Sequence, residues 1–264
     1  MDGRAIGVFD SGLGGLTAAR VLEETLPYEN LIYFGDTANM PYGPRTRADI
    51  TRLAIRNTEF LLEKDVKAIL VACGTVSSNA IDVLREKFAV PFFGVIEAAA
   101  IAAAEATETG RVGVIATEAS IRSGAYRRAL EEMDRGIRVF DTACPSFVPL
   151  VESGHRAADD SLVRAAVERE LRELRRFEPD TLIMGCTHFP LLEEAIADFM
   201  GPDVRLISCG GEAALALGDH LHREDMLSPA ADVGERRYFT SGDPENFSRQ
   251  AAAFLGHGLE AESR

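Results

Sequence analysis

No apolar run in this 264-residue chain is long enough to cross a bilayer. The longest, AILVAC at Ala68–Cys73 and the alanine-rich stretch Ala98–Ala104, fall well short of the ~20 residues that a spanning helix needs. The N-terminus, MDGRAIGVFD, lacks the basic-then-apolar layout of a secretory leader and runs almost directly into a strand. Together these point to a cytoplasmic protein with no membrane partner. Positive charge is short as well, and the net charge is −14. Such a surface repels a phosphate backbone, which argues against a nucleic-acid partner, but it leaves local donors free to hold a small anion. The four cysteines, Cys73, Cys144, Cys186 and Cys209, include no CxxC pair. They form neither a disulfide framework nor a thioredoxin-like or zinc-ribbon motif. There are only three lysines, Lys64, Lys67 and Lys87, and none follows a motif strand. A pyridoxal phosphate enzyme needs a Schiff-base lysine. GK[ST] is absent, and DSGLGGLTAAR matches neither GxGxxG nor the P-loop pattern. That glycine-rich turn would cradle phosphate, hold a carboxylate or serve the backbone alone.

What is present is an alternation of short apolar strands and amphipathic helices. Strands are expected at Ala5–Asp10, Leu31–Asp36, Ala68–Cys73, Pro91–Val95, Arg111–Thr117, Ile137–Thr142, Thr181–Cys186 and Val204–Cys209. Their near-continuous Val, Ile and Phe content suits strands covered on both faces. Helices are expected at Leu16–Leu26, Arg47–Lys64, Val76–Phe88, Ile121–Met133, Ser161–Phe177 and Leu191–Met200. The pattern is α/β with parallel sheets. It also repeats. GVFDSG at Gly7–Gly12 is echoed by GVIATE at Gly113–Glu118, and each is followed by a later strand that ends in cysteine, Cys73 or Cys186. We expect two similar parallel-sheet α/β domains related by pseudo-symmetry, residues 1–97 plus 210–264 and residues 98–209, with the site at their interface. The tail from Gly210 is expected to return to the first half. Ligands of open parallel sheets bind beyond the strand carboxyl ends, which here carry Asp10-Ser11-Gly12, Asp36-Thr37, Cys73-Gly74-Thr75, Thr117 and Cys186-Thr187-His188.

The cysteines admit several chemistries. Burial as a small hydrophobe suits Cys144 and Cys209. Cys73 and Cys186 each precede Gly or Thr and an expected helix, whose N-terminal N–H groups stabilise a thiolate. A metal site would draw on Cys186, His188, Cys73 and Asp10, but one Cys-x-His does not make the usual close ligand pair. A cysteine hydrolase would use one thiol and a histidine base and leave the second thiol idle. Racemisation at a carbon uses both. One group removes a proton from one face, a chemically similar group supplies one to the other, and the roles reverse with direction. Asp10 would then assist Cys73, and His188 would assist Cys186. Glu152, read alone, is a solvated carboxylate at a helix end.

FDSGLGGL (Phe9–Leu16), PYGPR (Pro41–Arg45), GVIE (Gly94–Glu97), SGAYRRAL (Ser123–Leu130), CPSFVPLVESG (Cys144–Gly154) and GCTHFP (Gly185–Pro190) occur in this order along nearly the whole chain. In this the chain resembles bacterial glutamate racemases of the aspartate/glutamate racemase superfamily. The resemblance implies cofactor-independent interconversion of L- and D-glutamate by two bases, with D-glutamate feeding peptidoglycan synthesis, and a homodimer as the family's usual assembly. It implies Cys73 as the base on the D face and Cys186 on the L face, with Asp10, Glu152 and His188 assisting. It further implies a substrate site lined by Asp10, Ser11, Tyr42, Gly43, Gly74, Thr75, Thr117, Ser120, Thr187 and His188. The chain departs from the family pattern in places. Cys-Asn-Thr is here Cys73-Gly74-Thr75, IEPG is IEAA at Ile96–Ala99, DSG is Ser208-Cys209-Gly210, and Ser120 stands where threonine is usual. Loss of the asparagine amide would remove a polar anchor worth about 1–3 kcal/mol. That leaves open a superfamily racemase of altered specificity, for aspartate or another amino acid, or a ligand-binding relative of low activity.

Overall fold

The computed structural model describes residues Met1–Arg264. Two all-parallel sheets form its frame. In the first half the chain runs β1 (Ile6–Asp10), α1 (Leu16–Thr25), β2 (Leu31–Gly35), α2 (Arg47–Leu62), β3 (Ala68–Val71), α3 (Gly74–Asn79), α4 (Ile81–Lys87), β4 (Phe92–Gly94) and α5 (Val95–Ala106). The second half runs β5 (Arg111–Ala116), α6 (Glu118–Ser123), α7 (Ala125–Met133), β6 (Arg138–Ala143), α8 (Phe147–Glu152), α9 (Ser161–Arg176), β7 (Thr181–Met184), α10 (Glu193–Met200) and β8 (Arg205–Ser208). The tail adds α11 (Cys209–Arg223), β9 (Arg236–Thr240), α12 (Pro244–Leu255) and β10 (Ala261–Ser263).

The first sheet has the order β10-β9-β2-β1-β3-β4 and the second β6-β5-β7-β8. Without the tail strands the two orders coincide: β1 corresponds to β5, β2 to β6, β3 to β7 and β4 to β8. The sequence echo between Gly7 and Gly113 therefore falls on equivalent central strands. Cys73 and Cys186 follow equivalent strands, β3 and β7. The tail does return to the first half, where β9 pairs with β2 from Leu31 opposite Arg236 to Gly35 opposite Thr240.

Strands covered on both faces account for the apolar runs. Along β1, Ile6 and Val8 face one core and Phe9 the other. The larger core runs continuously from the first sheet to the second, because α5 and α11 pack against each other between the halves and α1 packs on α11. The smaller core lies under α2 and is built around Phe34, Phe60 and Phe239.

Several element boundaries differ from expectation. The Val76–Phe88 helix is two helices, broken at Ala80 (φ −134°). The Ile121–Met133 helix is broken at Gly124, whose φ of +66° is left-handed backbone that glycine adopts without strain. The strands expected to end at Cys73, Thr117 and Cys186 stop at Val71, Ala116 and Met184, which frees those residues from the ladder. Cys73 caps a six-residue helix, whereas Cys186 is followed by a 3₁₀ turn at Phe189–Leu192 before α10. No helix is long and apolar enough to cross a membrane.

Candidate active site

The carboxyl ends of the two sheets face each other across a cavity of about 360 Å³. Asp10, Ser11, Tyr42, Gly43, Cys73, Gly74 and Thr75 line it from the first half. Thr117, Glu152, Cys186, Thr187 and His188 line it from the second. All the site residues expected from the sequence meet here except Ser120. That hydroxyl is buried behind Thr117, 3.1 Å from its oxygen, and it accepts a bond from Ser78 at 3.2 Å. It touches the cavity wall from behind, through Thr117 directly and through Ser78 to the Thr75 carbonyl. The wall also includes residues that sequence reasoning passed over: Met40, Pro44, Glu118, Cys144, Pro145, Val148 and Pro149. Most carry no reactive group, and those inside PYGPR and CPSFVPLVESG were not singled out within their motifs. Only the CPSFVPLVESG match pointed toward α8 and the residues before it. Cys144, read as a small hydrophobe, is buried at the wall.

The two thiols are placed alike and equipped differently. The Cys73 thiol donates to the Ser11 hydroxyl at 3.4 Å. Burial, and then the nearby Asp10 carboxylate, push it up to about 11, against smaller lowering by Ser11 and the Val76 N–H. Asp10 is itself buried and accepts the Gly12 N–H at 2.7 Å. Burial raises its pKa, and the His188 ring acts in the opposite direction. The Cys186 sulfur faces His188 Nδ1 at 3.8 Å, and the other ring nitrogen of His188 meets Glu152 Oε1 at 3.1 Å. A carboxylate accepts and does not donate, so this contact places a proton on Nε2. In the neutral ring Nδ1 then presents a lone pair to the Cys186 thiol. Burial pushes Cys186 well above the ordinary thiol range, and the His188 backbone N–H lowers it by less. At both cysteines desolvation outweighs the N–H groups that the following short helix or turn offers a thiolate.

The groups around the thiols are tightly fixed. Tyr42 donates its hydroxyl to Asp36 and accepts from Asn57 at 3.2 Å, so the phenol oxygen is already engaged. The tail holds this arrangement, since Ser241 donates to Asp36 at 2.6 Å. Phe254 of α12 meets the His188 ring edge-on, with centroids 5.5 Å apart. Thr75 and Thr117 bridge the halves through their hydroxyls at 3.0 Å, and Thr17 donates to the Thr187 carbonyl at 3.0 Å. The GLGG turn has a backbone reason for its glycines. A Cβ on Gly14 would sit 2.3 Å from His188 Nδ1 and 2.7 Å from Thr187 Oγ1. The wall contains no lysine. Lys67 is committed elsewhere, buried against Glu29 at 2.5 Å. No three His, Cys, Asp or Glu side chains converge to hold a metal ion.

Comparison with known proteins agrees with this arrangement. The sequence profile of the Asp/Glu/Hydantoin racemase family matches residues 15–217. A glutamate racemase of Geobacter metallireducens is 41% identical over 98% of this chain and 95% of its own length. The crystal structure of a glutamate racemase isoform from Bacillus anthracis superposes with a TM-score of 0.95 at 36% identity, covering 100% of this chain and 98% of that one. The glutamate racemase of Francisella tularensis, solved in complex with D-glutamate, gives 0.91 at 35% identity, covering 100% and 97%. With duplicated sheets, paired strand-end cysteines and full-length similarity of this order, the chain belongs to the Asp/Glu/Hydantoin racemase family.

Proposed function

We propose that this protein interconverts L- and D-glutamate without a cofactor, using Cys73 and Cys186 as the two bases. The observation that carries the proposal is the placement of two thiols after equivalent strands of two equivalent sheets, on the wall of one cavity. Racemisation is the chemistry that needs two like groups on opposite faces of one carbon. Cys73 works on the D face with Asp10 and Ser11 beside it, and Cys186 on the L face with His188 and Glu152. Both thiols are protonated in the free protein at neutral pH. The ammonium group of an entering amino acid favours the thiolate, as an opposite charge in a water-poor cavity does. The side-chain and α-carboxylates of glutamate meet the hydroxyls of Ser11, Thr75, Thr117 and Thr187 and nearby backbone N–H groups. The product D-glutamate serves peptidoglycan synthesis.

The test is proton NMR of L- and then D-glutamate with purified protein in D₂O and no added cofactor. The α-proton signal should vanish from both enantiomers while the opposite enantiomer forms. Bound glutamate without exchange would overturn the proposal in favour of a binding protein. Equal rates on aspartate would replace it with a racemase of broader choice, the reading that Gly74 motivates.

A further inference from the structure

His188 is the proton-handling ring of the second half, yet its polar contacts hold it loosely. Nε2 meets Glu152 at 3.1 Å, but Nδ1 stands 3.8 Å from the Cys186 sulfur. The torsion that turns an imidazole about its Cβ–Cγ bond is broad. Packing must therefore fix the plane of the ring, and two residues outside the second half supply it. The Gly14 backbone closes on the ring, where a Cβ would lie 2.3 Å from Nδ1 and 2.6 Å from Cε1. Phe254 of α12 meets the ring with centroids 5.5 Å apart and planes 86° apart.

Phe254 is fixed in turn. It is buried with Phe247, Ala251 and Leu255 of its own helix, and α12 packs on α1. The Arg156 guanidinium lies 5.5 Å from its ring centroid and donates from Nε to the Val151 carbonyl at 3.1 Å. Val151 adjoins Glu152 on α8. The contacts close on themselves: His188 to Glu152, along α8 to Val151, through Arg156 to Phe254, and back to His188.

We propose that Phe254 is a positioning residue for the reaction, which together with Arg156 holds the His188 ring with Nδ1 on the Cys186 thiol and Nε2 on Glu152. This rests on the two-thiol reading above and deepens it. The tail helix of the first half sets the proton relay of the second. Ser11 and Asp10, the partners of Cys73, are placed by β1 and the turn after it. Removing the Phe254 ring therefore weakens one thiol and spares the other.

Racemisation alone does not separate the thiols, because it needs the α-carbon within reach of both sulfurs. Loss of HCl from 3-chloroglutamate needs one. A single thiolate takes the α-proton, the C–H electron pair forms the Cα=Cβ bond, and chloride leaves with the electrons of the C–Cl bond. The enamine then tautomerises and hydrolyses to a 2-oxo acid and ammonium.

The experiment compares wild type, Phe254→Leu and Arg156→Ala in glutamate racemisation and in chloride release from each enantiomer of 3-chloroglutamate. The enantiomer that Cys73→Ala still processes is the one that Cys186 takes. Phe254→Leu keeps apolar bulk and removes the flat ring. Its racemisation kcat should fall about tenfold to a hundredfold, as ångström-scale misplacement of a catalytic group does. Chloride release should fall by a similar factor for the Cys186 enantiomer and stay near wild type for the other. Equal losses for both enantiomers, or unchanged racemisation, would overturn the proposal. In a Glu152→Gln background Phe254→Leu should add little, because both changes act through one ring; losses that multiply in full would also overturn it. Arg156 is half-buried, so Arg156→Ala carries the same test if Phe254→Leu does not fold. A smaller loss confined to the Cys186 enantiomer is then expected, and no loss, or an equal loss for both, would overturn the proposal. Full racemisation by Cys73→Ala would instead bring down the two-thiol reading, and this inference with it.

Discussion

Cys73 stands beside Ser11 and Asp10, which follow and end the central strand of its own sheet. Cys186 stands beside His188, two residues onward in its own loop, and through that ring reaches Glu152 on α8. The strand orders of the two halves coincide, yet this local equipment does not. The two halves share the frame and the placement of the thiols, and each supplies its own polar partners. The difference cannot shift the equilibrium, because L- and D-amino acids have equal free energy in water. It can only decide how each thiol gains and loses its proton.

The comparison breaks most completely if either thiol is removed. Cys73→Ala and Cys186→Ala should each lower racemisation by at least about 10³-fold, within the range of general acid–base contributions. Each should still eliminate chloride from the one enantiomer of 3-chloroglutamate that its surviving thiol faces. Opposite enantiomer preferences in the two variants would establish which thiol serves which face. Gly14→Ala comes next. Its new methyl group drives into His188 Nδ1 and Thr187 Oγ1, and we expect about a hundredfold loss of kcat from misplacement of the ring. Chloride release should fall only for the enantiomer assigned to Cys186. A similar fall for both would mean that the turn supports the whole cleft. Glu152→Gln keeps the shape of the contact to His188 and removes its charge. About a 10–100-fold loss, on the Cys186 side alone, is the expected scale for a partner that orients a histidine.

The smallest effect sharpens the Cys73 side. The Asp10 charge helps hold the Cys73 thiol up. Without that charge the thiolate forms at lower pH, so the rising limb of the kcat/KM profile should move toward acid in Asp10→Asn, even as its maximum falls. A limb that stays in place, or moves toward alkali, would show that burial alone sets this thiol.

Much of this architecture was legible in the residue pattern, because strands buried on both faces have little freedom in composition. What escaped has physical causes. The helix α5, VIEAAAIAAAEA, lies between the halves and packs on both α11 and α7, so its alanine-rich surface shows little contrast between faces. Six-residue α8 contains Pro149 and is too short to display a helical period. Gly124 and Ala80 split helices whose apolar spacing continues across the break. The reactive members of the site stood out because cysteine, histidine and aspartate at strand ends are conspicuous. Its walls did not, because Val148 and Pro149 resemble ordinary packing residues. The close approach at Gly14 was invisible, since a missing side chain does not name the group it makes room for.

The tail strand β9 pairs with β2, Ser241 steadies Asp36 behind Tyr42, and Phe254 meets the His188 ring. The polypeptide is made from its N-terminus, so Asp10, Cys73, Glu152, Cys186 and His188 have all been synthesised more than sixty residues before Phe254 appears. On the ribosome the nascent chain thus carries both thiols and the histidine long before the props that order them. A translation product cut short between β8 and α12 would hold a full set of reactive side chains and no finished cleft. A chain without α12 would keep both thiols and His188 and lose the Phe254 ring that packs against that histidine.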